Sequence, residues 1–276
     1  MKKMISYSLF GTSPRYHGNL AYVLVANSVI YSDFCMKFYV HEDATETKQF
    51  GMLQKVSEIF PNVEIEIMKE SYEGTKPTTW RMKPLWGNDV DLLLCRDLDH
   101  ITNKLERKSV QYFLNHNAYL IHGIRSYALH SAPYLAGLVG FRCKALRPLL
   151  FHMANCFEDY IRWGENFVEY CKDWRWGCDQ ALMRDFFCEA KMFRKSLDTP
   201  QYTAPQLISR YTCNTVMPEQ YRRIKETPGC NKACLAYSES IAPSFTGQAV
   251  TATTNQTKEL IEKADNDMAR LISKYI

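Results

Sequence analysis

Over the first half of the chain, short β-branched and aromatic runs alternate with amphipathic stretches, and this alternation constrains the fold more than any other feature. ISYSLF (5–10), CMKFYV (35–40), VEIEIM (63–68), DLLLC (91–95), AYLIH (118–122) and AGLVGF (136–141) have strand character. Between them, LAYVLVANSVIY (20–31), KQFGMLQKVSEIF (48–60) and LERKSVQYFLNH (105–116) carry apolar side chains at helical spacing. The order predicts an α/β fold with an open, mostly parallel, twisted sheet flanked by helices. Right-handed crossovers then leave a crevice at the carboxyl ends of the strands, where such sheets hold ligands.

Beyond about residue 144 the strand signals thin out. ALRPLLFHMANCFEDYIRWGENFVEYC and CDQALMRDFFCEAKMF read as largely helical, a C-terminal elaboration covering one side of the crevice. The stretch 198–250 reads as irregular, and 257–276 as an amphipathic helix with Leu260, Ile261, Ala264, Met268, Leu271 and Ile272 on one face. With no repeat and no low-complexity linker, the expectation is one domain over 1–250 with the helix of 251–276 packed on it. A chain that is 46% hydrophobic and 23% charged is too apolar for disorder. Its net charge of +4 permits phosphate-bearing ligands without demanding nucleic acid. The 10 cysteines are scattered, several inside apolar runs, as small buried hydrophobes in a reducing compartment would be. The longest apolar candidate, PYLAGLVGF (133–141), falls well short of the ~20 residues of a membrane span. A cytoplasmic protein without a membrane span is expected.

The richest chemistry lies in Asp91–His100, DLLLCRDLDH, where an apolar strand ends in two carboxylates two residues apart. A strand alternates faces, so Asp97 and Asp99 point the same way and can reach one hard cation, magnesium or manganese. Arg96, just before them, points to the opposite face and is structural. By spacing alone, Asp-x-Asp is so common that two solvated loop acids are the better explanation; what favours a site is the position directly after the apolar strand. His116, His122, His130 and His152 share no metal-ligand spacing, and Cys230 and Cys234 have no partner pair, which argues against zinc.

SYSLFG (6–11), TTWRMKPL (78–85), LLLCRDLDH (92–100) and YLAGLVGFR (134–142) follow one another in an order that resembles nucleotide-sugar glycosyltransferases of the GT-A fold. The Arg-Asp-x-Asp form is similar to small bacterial and phage enzymes of that fold. CDQALM (178–183) resembles the Asp-Gln helix start of the glycogenin and galactosyltransferase-like retaining families, and FTGQ (245–248) their closing phosphate-side motif. The resemblance implies a nucleotide-binding half at about 1–143, an acceptor-side half at about 144–250, and transfer of a sugar from a nucleoside diphosphate to an acceptor hydroxyl.

It also implies roles. Ser8, Phe10 and Gly11 border the nucleobase and ribose. Arg81, with Lys83 as a weaker candidate, reaches the diphosphate or donor sugar, and Gly137 and Gln248 line the donor. Asp97 and Asp99 hold the manganese or magnesium ion. Asp179 orients donor or acceptor near the reacting carbon, with Trp174, Trp176 and Gln180 on the acceptor side. Plainer readings stand beside these: a surface arginine at Arg81, a bulged strand at Gly137–Gly140, and a helix-dipole acid at Asp179. Ser244 stands where retaining relatives often carry a metal-binding histidine, which leaves the third ligand and the stereochemical outcome open. The expected acceptor is a glycan or a hydroxymethylated DNA base, the latter kept open by Trp174, Trp176 and the basic run Tyr221–Lys225, a run whose plainer reading is a solvated helix face. Two other classes compete, a metal-dependent phosphoesterase and a non-catalytic nucleotide- or nucleic-acid-binding module.

Overall fold

Residues of a buried strand must satisfy two cores at once, and β4 (Leu92–Arg96) does so with all five side chains buried. In the computed structural model, the described residues are 1–100, 102, 104–117, 119–125, 135–150, 153–189 and 212–216. In chain order the elements are β1 (Lys3–Leu9), α1 (Pro14–His17), α2 (Leu20–Ile30), β2 (Cys35–His41), α3 (Lys48–Ile59) and β3 (Val63–Met68). A 3₁₀ run (Lys76–Leu85) leads into β4, followed by α4 (Lys104–Asn115), β5 (Ile121–Arg125) and β6 (Leu138–Arg142). Then come α5 (Cys143–Leu150), α6 (Phe157–Phe167), α7 (Cys178–Arg184) with a π-helical extension Asp185–Glu189, and β7 (Thr212–Val216).

The strands form one sheet in the order β3-β2-β1-β4-β6-β5-β7. Pairings β1/β2, β2/β3, β1/β4 and β5/β7 are parallel, whereas β6 runs antiparallel to both β4 and β5. The sheet is thus mostly parallel, as the alternation predicts, with one reversed strand. Successive strands build outward from β1 in one direction and then resume at β4 on its other side, so the switch point lies between β1 and β4.

Strand parity divides the interior. Leu92 and Leu94 join Ile5, Phe38, Leu24 and Phe113 in the core beneath α2, α3 and α4. Leu93 and Cys95 join Val139, Phe141, Tyr160 and Leu182 in the core beneath α5, α6 and α7. Each such fully buried leucine stabilises the fold by about 1.5–3 kcal/mol. Local signals set the helix starts: the Thr47 hydroxyl accepts the Phe50 N–H at 3.2 Å to cap α3, and Pro14 opens α1.

Three expectations shift. The fifth strand begins at Ile121, because the Arg142 side chain donates to the carbonyls of Tyr119, Phe113 and Leu114 and holds that stretch in a turn. The sixth begins at Leu138, since the Leu138 N–H bonds the Leu135 carbonyl in a turn containing Ala136 and Gly137. Strand β7 falls within the stretch read as irregular; TCNTV has too few apolar residues to signal a strand, and its place comes from parallel pairing with β5. The expected helix of 251–276 lies outside the described residues. No helix among the described residues is long and apolar enough to cross a membrane.

Candidate active site

Where β4 ends, its parity sends neighbouring charges to opposite faces. Arg96, fully buried, donates from Nε to Glu106 Oε1 at 2.8 Å and from Nη1 to the carbonyls of Cys95 and Val139. Glu106 also accepts the Tyr31 hydroxyl at 3.0 Å and lies 2.7 Å from His100 Nε2. Burial alone raises a carboxyl, but Arg96 and His100 outweigh it and hold Glu106 far below the usual range. His100, whose N–H also closes a turn on the Asp97 carbonyl at 3.1 Å, ties the loop 97–100 to this sealed pair. The structural part expected for Arg96 is what the geometry displays.

Asp97 emerges on the other face, towards Arg81. The 3₁₀ run is longer than the usual three or four residues, and Thr78 and Thr79 support it by donating their hydroxyls to the carbonyls of Thr75 and Lys76, each at 2.8 Å. The Arg81 N–H donates to Ser8 Oγ at 3.1 Å, fastening the run to the end of β1. Its side chain, only 4% exposed, bridges two carboxylates: Nη1 donates to Asp97 Oδ1, and Nη2 donates to Asp179 Oδ2 at 2.5 Å. Burial disfavours the guanidinium charge, yet Asp97 and Asp179 more than offset it and raise its pKa.

Asp179 comes from the first turn of α7, where its Oδ1 accepts the Gln180 N–H at 2.8 Å. Burial first, and then the Asp97 charge, push its carboxyl upward against the pull of Arg81. The loop before α7 is anchored by Trp174, at φ 46°, whose carbonyl accepts the Thr75 N–H and hydroxyl at 2.8 and 3.0 Å.

These groups face a cavity of about 160 Å³ lined by Arg15, Arg81, Asp97, Asp99, Asp179 and Trp176, among others. Arg15, from α1, pairs through Nη2 with Asp99 Oδ2. Burial and then the Asp97 charge push the Asp99 carboxyl upward. Gly137 closes one wall: a Cβ there would collide with the Asp97 carboxylate, so the turn before β6 needs glycine for Asp97 to occupy its place.

Asp97 and Asp99 present hard oxygen donors on one loop, with a mutual repulsion that a cation between them would relieve. No third His, Cys, Asp or Glu joins them among the described residues. A magnesium-like ion is commonly held by one or two carboxylates, with water and phosphate oxygens completing the shell. The donor set fits such an ion.

The cavity brings together Arg81, Asp97, Asp99, Gly137, Trp176, Asp179 and Gln180, and Ser8 touches it through the Arg81 backbone. Gly11, at φ 63°, turns the chain out of β1; its N–H donates to Asp43 Oδ1 at 2.9 Å. Phe10 packs edge-on against Tyr72 and Trp80. Two expectations are corrected. Lys83 bonds Glu66 at 2.9 Å and lines a separate cavity with Lys76 and Glu165, because residues two apart in the 3₁₀ run face different sides. Trp174 is only 3% exposed, so its ring has no face for an acceptor, whereas Trp176 is 69% exposed at the cavity rim. Gln248, Ser244 and Tyr221–Lys225 lie outside the described residues. Sequence reasoning missed Arg15, Tyr16 and Thr78; a single arginine in a Ser-Pro-Arg loop carries no spacing signal, and only the chain path delivers it to Asp99.

No protein-family model matches the chain, and no curated protein matches it in sequence. Among solved structures it is similar to residues 1–349 of TarS from S. aureus, at 16% identity and a TM-score of 0.43 over 68% of this chain. That match spans 56% of the TarS fragment, little more than half of its length. It is similar to the galactosyltransferase LgtC in complex with donor and acceptor sugar analogs, at 12% identity and TM-score 0.41, covering 94% of this chain and 95% of that one. A third likeness is to the mannosyltransferase PcManGT from Pyrobaculum calidifontis in complex with GDP-Man and Mn2+, at 10% identity and TM-score 0.43, covering 97% and 87%. With identities of 10–16% and TM-scores below 0.5, these are likenesses to known glycosyltransferase structures, and no activity passes from them to this chain.

Proposed function

We propose that the protein transfers a sugar from a nucleoside diphosphate donor to an acceptor hydroxyl, in the cavity at the carboxyl ends of β1 and β4. The observation that carries this reading is the buried Arg81 guanidinium, which bridges Asp97 and Asp179 on the wall of that cavity. Arg81 supplies planar paired donors suited to phosphate oxygens, and its buried Nε–H has no hydrogen-bond partner among the described residues. Asp97 and Asp99 would hold a manganese or magnesium ion, which when bound neutralises charge on the departing diphosphate. Asp179, tied to Arg81 and to the Gln180 N–H, is placed to orient the donor sugar or accept a proton from the acceptor hydroxyl. The raised carboxyl of Asp179 suits a group that exchanges a proton rather than a permanent ion-pair partner.

Trp176, exposed at the rim, offers an aromatic face to an acceptor. The acceptor class we favour is a glycan, with a hydroxymethylated DNA base as the substrate to be tried beside it. The decisive experiment is a thermal-shift panel of nucleoside diphosphates and nucleotide sugars with and without manganese, since a ligand binding only the folded state raises Tm. A manganese-dependent rise with one nucleotide, lost in Asp97→Asn, is the expected result. No rise with any nucleotide overturns the reading.

A further inference from the structure

Among the described residues, the cavity wall carries three carboxylates, Asp97, Asp99 and Asp179, against two guanidiniums, Arg15 and Arg81. A diphosphate entering alone meets more negative than positive charge. Arg81 is locked between two carboxylates and only 4% exposed. Arg15 is different: among the described residues it has a single carboxylate partner, Asp99, and its side chain is 41% exposed. Its Nε–H is buried without a hydrogen-bond partner among the described residues. The backbone beneath it is fixed, since Asn19 Nδ2 donates to the Arg15 carbonyl at 2.9 Å and His17 Nε2 lies 2.8 Å from the Gly11 carbonyl. Only the side chain is free to change partners.

We infer that Arg15 is a second diphosphate-binding residue, parked on Asp99 in the ligand-free protein and released when a divalent cation takes that carboxylate. This rests on the glycosyl-transfer reading above. The exchange conserves charge pairing: the cation replaces the guanidinium at Asp99, and the freed guanidinium meets a diphosphate oxygen across the same cavity. Metal and diphosphate therefore bind cooperatively, each favouring the state in which Arg15 has left Asp99. A fixed structural ion pair would produce no such coupling.

The test compares the wild type with Arg15→Ala and Arg15→Lys, following Mn2+ alone by the electron paramagnetic resonance signal of the free ion. Uridine, guanosine and adenosine diphosphates are then titrated calorimetrically with and without Mn2+. Arg15→Ala is expected to bind Mn2+ alone more tightly, because the cation no longer competes with the guanidinium. With saturating Mn2+ it is expected to bind the nucleoside diphosphate about tenfold more weakly, the loss of one charge-assisted hydrogen bond. Arg15→Lys should recover part of both effects, and an unchanged thermal midpoint of the free variants separates these shifts from misfolding. Unchanged diphosphate affinity in Arg15→Ala, or weaker binding of Mn2+ alone, overturns the inference while leaving the glycosyl-transfer reading intact. If the wild type binds none of the three diphosphates, the parent reading fails and the inference falls with it.

Discussion

Two arginine–carboxylate clusters flank the end of β4, one on each face of the sheet, and they are built from the same chemistry to opposite ends. Beneath the sheet, Arg96 and Glu106 are both almost fully buried, and Tyr31, Arg96 and His100 each donate to Glu106 or attract it. Above it, Arg81 serves Asp97 and Asp179 at once, and Asp99 lies close enough to Asp97 to feel its charge. The consequence shows in opposite directions of titration: Glu106 is held down, whereas Asp99 and Asp179 are pushed up. The carboxylate of Glu106, held by Tyr31, Arg96 and His100 together, is a fixed pin. The cluster that keeps like charges together beside a cavity is the one we propose a ligand completes.

The contrast can be broken most forcefully from below. Glu106→Ala leaves Arg96 buried and uncompensated, so the folded state should lose ~3–5 kcal/mol in chemical denaturation. A loss under about 1 kcal/mol, the scale of one ordinary hydrogen bond, would mean that the sealed pair does not pin the sheet.

From above, the sign reverses. The folded-state carboxyl of Asp99 is raised, so its contribution to stability is complete below the ordinary value of 3.8 and is lost as pH rises through the folded-state value. Asp99→Asn should therefore be more stable than the wild type at neutral pH, by ~0.5–2 kcal/mol, the usual size of single stabilising changes. The gain should shrink as pH is lowered toward about 4. Urea titrations of both proteins across that range check it, and a variant less stable at neutral pH would erase the distinction between the two clusters. Glu106 has the opposite sign: its stabilisation is present above the ordinary value and disappears only in strong acid.

The smallest effect belongs to the rim. Trp176→Ala should leave stability within ~0.5 kcal/mol, as for exposed positions generally, while weakening acceptor binding in a transfer assay. Unchanged acceptor KM would remove Trp176 from the site.

Much of this organisation is legible in the chain. The strand alternation gives β1 to β4, and the parity of LLLCRDLD is enough to place Arg96 and Asp97 on opposite faces. The Arg81–Asp97 pair lies 16 positions apart in the chain, and nothing in spacing alone distinguishes it from a surface arginine near an acid. Lys83 illustrates the converse. Two residues from Arg81, it would share its face in a strand, but the tight helical run turns it towards Glu66 and another cavity. Trp174 and Trp176 likewise read as one aromatic pair, and the positive φ at Trp174 buries one while exposing the other.

By itself, then, the sequence determined what short-range periodicity can encode: the α/β alternation, the two-core parity of β4 and the delivery of acids to its carboxyl end. Tertiary structure alone decided which distant groups meet there, bringing Arg15 to Asp99, Arg81 to both Asp97 and Asp179, and β7 to the sheet edge. The physical reason is that periodicity reports on which face a side chain occupies, whereas charge pairing depends on loop paths and close packing between elements far apart in the chain.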